Sequence, residues 1–350
     1  MDHSGHSRAA KAEGELTVYS STNEQEALPL LKLFQDVTGV KINFIRGAEG
    51  PLVSRIMTET RAGQPSWDIT TSSIVNRLPL NLVKQIDPPE AKNLRPEARD
   101  PGRRWYGVYA AYNAPAYNTR LVKKEELPST YEEFLQKTQW KGRIAIDSAD
   151  REWMLGIFRH FGEEKGRKLL EDIVRTLNPV IVDGHLALAR ALAAGEYMVA
   201  LSNYSMLTSN MAFTGAPSEF FPLDPVSMFI SQAGVSARAP HPNAARLLTQ
   251  FMLEPESQLH MANAGVLPVV NGIAEKTNDD ARPYMSAKLF GAGTHEHQER
   301  LLKIAAEIQR QCWIDVPHIP LGIWFQPAAW QSTIDGIPDG FPIFWGARRV

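Results

Sequence analysis

Four short polar turns combine hydroxyl, amide and carboxylate side chains with the predicted start of a helix. They are Ser20-Ser21-Thr22-Asn23, Gly47-Ala48-Glu49-Gly50, Thr70-Thr71-Ser72-Ser73 and Asp147-Ser148-Ala149-Asp150. The first turn of a helix offers unpaired N–H groups and the positive end of the helix dipole, which together bind anions. The same side chains also cap helices, and Ser21-x-x-Glu24 has the spacing of a capping box. For one turn alone both interpretations stay open, but the recurrence of such turns favours a ligand site.

Alternating strands and helices must position these turns. Residues 16–19, 40–45 and 67–73 read as strands, and residues 24–38 and 52–61 as helices between them. In the first helix Ala27, Leu30, Leu31 and Phe34 share one face, and Gly39 ends it. A β-α-β-α-β order predicts a parallel sheet of the α/β class, in which ligands lie beyond the carboxyl ends of the strands.

A second α/β pattern follows a long aromatic strand. The segment "RWYGVYAAYNAPAYNTRLV" (residues 104–122) has no helix after it, so it suits a strand that crosses between two lobes. A helix is predicted over residues 131–138, behind the capping box Ser129-x-x-Glu132. The pattern then alternates to "YMVALS", and "FISQAGVSARA" (residues 229–239) reads as the returning strand.

Composition excludes several classes of protein. A net charge of −2 gives no global attraction to nucleic acid or anionic membrane, and the single Cys312 excludes an internal disulfide and a cysteine-rich zinc site. The first residues, "MDHSGHSRAAKAEGE", contain no apolar signal-peptide core. The chain also lacks the GxSxG, P-loop, HExxH and GxGxxG motifs. We therefore expect a binding protein with no cofactor, rather than an enzyme or a regulator's effector domain on a similar fold.

The ordered set of segments resembles the periplasmic solute-binding proteins of bacterial ABC importers, in the branch of ferric-ion-binding proteins (family 1). The resemblance rests on "LTVYSSTNEQEALPLLKLFQDVTGVKINFIRG", "WDITTSS", "YNAPAYNTRLV", "WKGRIAIDSA", "ALARALAAGEYMVALSNYS" and "HPNAARLLTQFMLEPESQLHMANAGVLPVV". It implies a two-lobed type II α/β fold with two lobe-crossing strands, closure on a ligand in the cleft, and an inner-membrane permease as partner. It also implies a periplasmic monomer whose signal peptide has been removed.

The resemblance divides the chain into lobes. Residues 1–13 are expected to be a flexible leader. Residues 14–110 and 226–290 are assigned to lobe 1, and residues 111–225 to lobe 2. Residues 291–350 are expected to be a helix and an aromatic segment packed on lobe 1. From residue 299 onwards, this end resembles the oligopeptide-binding class (family 5).

Two ligand classes fit the predicted cleft. Hydroxyls, an amide and helix ends favour a small oxyanion: a carboxylate, phosphate ester or phosphonate. The predicted binding residues are Ser21, Thr22, Asn23, Ser73, Ser148, Arg151 and Tyr204.

Ferric ion is the alternative ligand, because it prefers anionic oxygen ligands. The family's usual His, Glu and two adjacent Tyr are absent here, but Tyr109, Tyr112 and Tyr204 would supply a tyrosine-rich site. Apolar packing of Tyr109 and Tyr112 on the crossing strand stays open.

Overall fold

Residues 15–71 fold into the alternating strands and helices that their pattern predicts. A computed structural model describes residues 4–148 and 150–277, which lie within one compact unit of the chain, residues 1–301. In these ranges the strands are β1 (Glu15–Ser20), β2 (Lys41–Arg46), β3 (Ile69–Thr71), β4 (Tyr106–Asn118), β5 (Ile144–Asp147), β6 (Val180–Val182), β7 (Val199–Tyr204), β8 (Ser218–Phe220) and β9 (Ser227–Val235).

Helices connect these strands. The α-helices are α1 (Ser4–Glu13), α2 (Glu24–Thr38), α3 (Glu49–Arg61), α4 (Arg151–Phe161), α5 (Glu163–Leu177), α6 (His185–Ala194), α7 (Ser205–Phe213), α8 (Pro242–Leu253) and α9 (Pro255–Asn263). Short 3₁₀-helices span Ser72–Arg77, Leu80–Leu82, Pro89–Asn93, Pro96–Ala98, Lys124–Glu126, Glu132–Gln136, Thr138–Trp140 and Ala274–Lys276. None of the helices described is long and apolar enough to cross a membrane.

The strands form one continuous sheet with two parallel groups. Its order is β2-β1-β3-β9-β4-β7-β5-β6, and β8 pairs with β4. β1 is parallel to β2 and β3, β5 is parallel to β6 and β7, and the antiparallel pair β9 and β4 lies between the groups. We call the part built on β1–β3 lobe 1 and the part built on β5–β7 lobe 2. β4 and β9 are therefore the two lobe-crossing strands. The residue boundaries of the lobes given above remain a prediction.

Helix α2 shows how the pattern specifies the core. Leu30, Leu31 and Phe34 are buried, and the ring of Phe34 meets that of Phe251 edge-on, with centroids 5.4 Å apart. Gly39 ends the helix at φ 75°, where its N–H bonds to the carbonyl of Gln35. A positive φ of this kind suits glycine, which has no Cβ. This helix and its buried face are as predicted.

The predicted flexible leader, residues 1–13, is wrong from Ser4 onwards. Residues 4–13 form α1, and Ala10 is fully buried. The carboxylate of Glu13 accepts hydrogen bonds from the backbone N–H groups of Asn243 and Ala244 in the first turn of α8. N–H groups in the first turn of a helix have no partner within that helix. The Glu13 carboxylate therefore stabilises the start of α8 and fixes the end of α1 against it. Residues 1–3 lie outside the described part of the chain, as do residues 291–350.

The helix predicted over residues 131–138 is also wrong. Two 3₁₀-helices take its place, and the capping box from Ser129 does not form; instead, the N–H of Ser129 donates to Glu133 at 2.7 Å. Tyr131 lies against Phe134, with ring centroids 6.3 Å apart, and against Trp153 at 5.9 Å. Burial of these large rings outweighs the local helix signal.

A close approach joins α4 to the crossing strand β9. A Cβ built on Gly156 of α4 would overlap the hydroxyl of Ser227, which begins β9. Every residue of β9 is buried, so the strand has little room to move away. A side chain at residue 156 would therefore force the Ser227 hydroxyl to turn away within a buried contact and bring the new Cβ to 3.3 Å from the Ser227 Cβ.

We predict that Gly156→Ala lowers the free energy of unfolding by about 1–3 kcal/mol, the usual cost of overpacking a core. Urea unfolding followed by circular dichroism measures it. Gly50→Ala in α3 is the matched control, because a Cβ there meets nothing within 4 Å; it should leave stability unchanged or raise it by up to about 1 kcal/mol. Equal effects of the two substitutions would contradict the close approach.

Candidate functional site

A cavity of ≈ 460 Å³ lies between the lobes and receives residues from both. Its lobe 1 wall comes from the turns after β1 and β2 and from the residues after β3; its lobe 2 wall comes from the end of β5, the turn before α6 and the end of β7. A larger groove of ≈ 640 Å³ lies on α2 and β2, lined by Leu28, Ile42 and Phe44 among others. We choose the cavity, because strand ends from both lobes bring polar groups together there.

Hydroxyl groups form the lobe 1 wall. Ser21 and Ser72 share a hydrogen bond of 2.5 Å between their Oγ atoms, and Thr22 Oγ1 lies 3.2 Å from the phenol oxygen of Tyr109. Ser73 donates to the carboxylate of Glu49. The structure therefore brings Ser21, Thr22 and Ser73 to the cavity, together with Asn23. The capping box from Ser21 to Glu24 does not form; Asn23 occupies the cap position of α2 without a side-chain cap bond.

Ser72 adopts a backbone conformation that is uncommon for a side-chain-bearing residue. Its φ is 76°, in the left-handed region, and its N–H donates to Ser231 Oγ at 3.2 Å. Such a conformation costs about 1–3 kcal/mol and persists only where the surroundings impose it. Here it turns the chain after β3 so that two consecutive hydroxyls, of Ser72 and Ser73, line the cavity.

His185 anchors the lobe 2 wall. Its Nε2 lies 3.7 Å from Asp147 Oδ1 and 3.4 Å from Asp150 Oδ1, and its Nδ1 lies 3.2 Å from Asn203 Oδ1. The side chain is only 11% exposed. Burial lowers the pKa of His185, while the charge of Asp147 opposes that effect. Because burial dominates, we expect a neutral imidazole at neutral pH.

The predicted tyrosines separate into two groups. Tyr204 and Tyr109 both line the cavity. Tyr112 does not, because residues three apart in a strand point to opposite faces. Its ring is 1% exposed and lies beside Phe220, at a centroid distance of 6.5 Å. The predicted set of Tyr109, Tyr112 and Tyr204 is therefore wrong for Tyr112.

Two further predicted residues are not placed in the cavity wall. Ser148 follows β5, but its exposed hydroxyl donates to Asp183 Oδ1 at 3.0 Å. It supports the cavity only through Asp183, which is among the lining residues. Arg151 begins α4, and its side chain lies outside the described part of the structure.

Glu26 is a cavity residue that the sequence analysis missed. It lies three residues after Asn23 in the first turn of α2, and Asn23 Nδ2 donates to its carboxylate at 3.3 Å. Burial raises the pKa of Glu26 to about 7, against the weaker effects of Asn23 and Arg46. Burial likewise raises the pKa of Tyr109, and the charge of Glu26 adds to that rise. The i, i+3 spacing from Asn23 is the signal that would have found Glu26.

Comparison with known proteins identifies the family. The model of the bacterial extracellular solute-binding protein family matches residues 30–285. The chain belongs to this family. It is therefore an extracellular solute-binding component of an ABC importer.

Individual relatives agree with this assignment. "Iron uptake protein A1" of Synechocystis sp. is 28% identical over 279 residues, which cover 74% of this chain and 77% of the relative. Iron-bound HitA of Pseudomonas aeruginosa superposes with a TM-score of 0.69 at 21% identity, covering 84% of this chain and 99% of HitA. AfuA of Actinobacillus pleuropneumoniae, bound to fructose-6-phosphate, gives 0.70 at 20% identity, with 86% and 98% covered. These structural likenesses confirm the two-lobed α/β fold of this solute-binding protein.

The comparisons give no support to the predicted oligopeptide-binding end of the chain. The family match stops at residue 285, and residues 299–350 lie outside the residues that the structure describes. The predicted resemblance of the preceding part of the chain to the ferric-ion-binding branch (family 1) is confirmed. The predicted resemblance of residues 299–350 to the oligopeptide-binding class (family 5) has no support.

We predict that Glu26 makes stability fall as the pH rises. The unfolded chain loses this proton near the ordinary pKa of 4.5, and the folded protein near about 7. Between these values the unfolded state binds fewer protons, so the unfolding free energy decreases with pH and stays lower above the window. Glu26→Gln removes that decrease, and its stability relative to wild type should therefore be greater at about pH 8 than at about pH 5.

Urea unfolding at both pH values measures the effect. Glu24→Gln is the control, because Glu24 is exposed on the same turn of α2. The expected result is a larger change with pH for Glu26→Gln than for Glu24→Gln. A difference for Glu26→Gln that does not change with pH would refute the assignment.

Proposed function

We propose that this protein captures ferric ion in the cavity between its lobes. The observation that supports this proposal is that acidic oxygen groups from both lobes reach one cavity. Glu26 comes from lobe 1, Tyr109 from the crossing strand β4, and Asp147 and Tyr204 from lobe 2. Ferric ion is hard and prefers anionic oxygen ligands. This replaces a small oxyanion as our first choice of ligand. The names of two similar proteins, an iron uptake protein and iron-bound HitA, support the same ligand.

Tyrosines are essential to this proposal. Among the described residues, no group of three or more His, Cys, Asp or Glu side chains is arranged to hold a metal ion. A ferric site therefore needs the phenol oxygens of Tyr109 and Tyr204 beside the carboxylates. A ligand held from both lobes favours the closed state, because it gains contacts there that the open state lacks.

Binding exchanges protons for the cation. The raised pKa values of Glu26 and Tyr109 mean that neither group carries its full negative charge in the free protein at neutral pH. Fe(III) would displace these protons, as metals do from acidic ligands. The expected consequence is tighter binding at higher pH, until hydroxide competes for the metal.

We further propose the setting in which this capture takes place. The protein works in the periplasm as a monomer, without enzymatic activity, and delivers its ligand to a permease in the inner membrane. Family membership and the two-lobed fold support this setting. No nucleic acid is involved, in keeping with a net charge of −2.

We predict that Tyr204→Phe weakens the phenolate-to-iron absorption band, because Tyr109 is then the one phenol ligand left of the proposed pair, and lowers the affinity for Fe(III) by at least about a hundredfold. Even an outer partner of a metal ligand is worth about 10- to 100-fold. Titration of the apo-protein with a soluble Fe(III) chelate, followed in the visible range, measures both effects. Tyr112→Phe is the matched control, because that ring is buried on the other face of β4.

Two results would contradict the ferric proposal. One is a wild-type protein that develops no visible band with Fe(III). The other is an equal loss of iron binding in Tyr204→Phe and Tyr112→Phe, which would indicate a general disturbance of β4 and β7 rather than loss of a ligand.

A small oxyanion, above all a phosphate ester, is the second candidate. A volume of ≈ 460 Å³ is in the range of small-molecule sites and is larger than a single ion needs. Arg46 and Arg190 line it beside the hydroxyls of Ser21, Thr22 and Ser72. Arginine and hydroxyl donors bind phosphate oxygens. AfuA, which has a similar fold, was solved with a sugar phosphate.

For this candidate we predict that fructose-6-phosphate raises the thermal midpoint of the wild-type protein and that Arg46→Gln weakens its binding by roughly tenfold or more. Hydrogen bonds to charged groups are worth about 1.5–3 kcal/mol. Arg61→Gln, at the exposed end of α3, should bind like wild type. No thermal shift with the sugar phosphate, alongside a visible band with Fe(III), would decide for the first candidate.

A further inference from the structure

Four rings form a ladder along the cavity. His185 and Tyr204 have centroids 4.0 Å apart, Tyr204 and Phe229 lie at 5.0 Å, and Phe229 and Tyr109 at 6.3 Å. All four residues line the cavity. The ladder begins in lobe 2, passes over the crossing strand β9 and ends on β4. Among the described aromatic contacts, Phe229 is the ring that both cavity tyrosines share.

The register of the crossing strands produces this ladder. Tyr109 is opposite Ser231, and Ala111 is opposite Phe229, in the antiparallel pairing of β4 with β9. Asn113, on the same face, is opposite Tyr204 of β7. Cross-strand neighbours on one face are close enough to contact. Because the small Ala111 stands opposite Phe229, the ring has space between the two tyrosines.

Each tyrosine is also held from its other side. The phenol of Tyr109 lies 3.2 Å from Thr22 Oγ1 and also bonds with Ser231. The ring of Tyr204 lies against His185, which Asn203 fixes through Nδ1. Phe229 therefore fills the interval between two rings whose outer sides are fixed. Its side chain is 7% exposed, so it has few alternative positions.

We infer that Phe229 is a positioning residue: its ring sets the separation of the phenol oxygens of Tyr109 and Tyr204. Phe229 has no ionisable or hydrogen-bonding group and does not itself bind an ion. This inference rests on the proposed function, because its test includes a measurement of iron binding. The arrangement of the rings can also be measured in the protein without any ligand. Two phenol oxygens can bind the same metal ion only if the distance between them suits its coordination geometry. The distance between the phenol oxygens of Tyr109 and Tyr204 therefore affects how tightly the pair binds the ion.

The test compares Phe229→Leu with Phe221→Leu in protein labelled with 3-fluorotyrosine. Phe221 is a matched control: it is 9% exposed and its ring packs edge-on against Tyr117 at 5.7 Å, away from the cavity wall. The ¹⁹F signals of Tyr109 and Tyr204 are assigned by Tyr109→Phe and Tyr204→Phe. We expect Phe229→Leu to shift both signals, and Phe221→Leu to shift neither, while both variants keep the wild-type circular dichroism.

Iron binding supplies the functional readout. In Phe229→Leu the apparent Kd for Fe(III) should rise about tenfold or more and the absorption band should move, whereas Phe221→Leu should match wild type. Unshifted ¹⁹F signals in Phe229→Leu, or a shift of only one tyrosine, would overturn the inference. So would shifted signals with wild-type iron binding. If wild-type protein takes up no Fe(III), the proposed function fails, and a crystal structure of Phe229→Leu decides the inference: an unchanged distance between the phenol oxygens of Tyr109 and Tyr204 would overturn it.

Discussion

The antiparallel pairing of β4 with β9 is the constraint on which the rest of this structure depends. Both strands run between the lobes, and the parallel groups attach to their outer sides, β3 to β9 and β7 to β4. The register that pairs Ala111 with Phe229 also puts Tyr109 and Tyr204 on the cavity face. A slip of one residue would turn every side chain of a strand to the other face. The cavity is therefore a consequence of one strand register, which burial of both strands stabilises.

Much of the fold could be predicted because its signals are local. The face of α2 that carries Leu30, Leu31 and Phe34 repeats at helical spacing, and it packs in the core as such a face must. The secondary-structure predictions were wrong where contacts between residues far apart in the sequence determine the local structure. The carboxylate of Glu13 meets the start of α8, 230 residues further along the chain, and no local pattern announces that contact. Around Tyr131, likewise, the stacking of buried rings outweighs a local helix signal.

The candidate site was predictable in part, for the same reason. Strand-end turns identified Ser21, Thr22, Asn23 and Ser73, because carboxyl ends of parallel strands share an edge. Tyr112 could have been excluded from its odd spacing to Tyr109, which places the two rings on opposite faces of one strand. The turn Asp183-Gly184-His185, after β6, has the polar character of the four predicted turns but is not among them. The partners of Ser148 and His185 depend on tertiary packing and could not be read from spacing.

The electrostatics of the cavity bear on selectivity under the proposed function. Burial outweighs the weaker effect of Arg46 and holds Glu26 near half ionisation at neutral pH, and it keeps Tyr109 protonated. Neither of these two groups therefore adds a full negative charge to the cavity before a cation binds. A cation must then displace those protons. Removing a proton from a phenol of ordinary pKa 10 at pH 7 costs about 4 kcal/mol, and burial makes it more costly still for Tyr109. A weakly bound divalent ion does not offset that cost, whereas a hard trivalent ion attracts phenolate oxygen strongly enough to do so. Under the proposed function, the protons on Glu26 and Tyr109 therefore favour ferric ion over divalent cations.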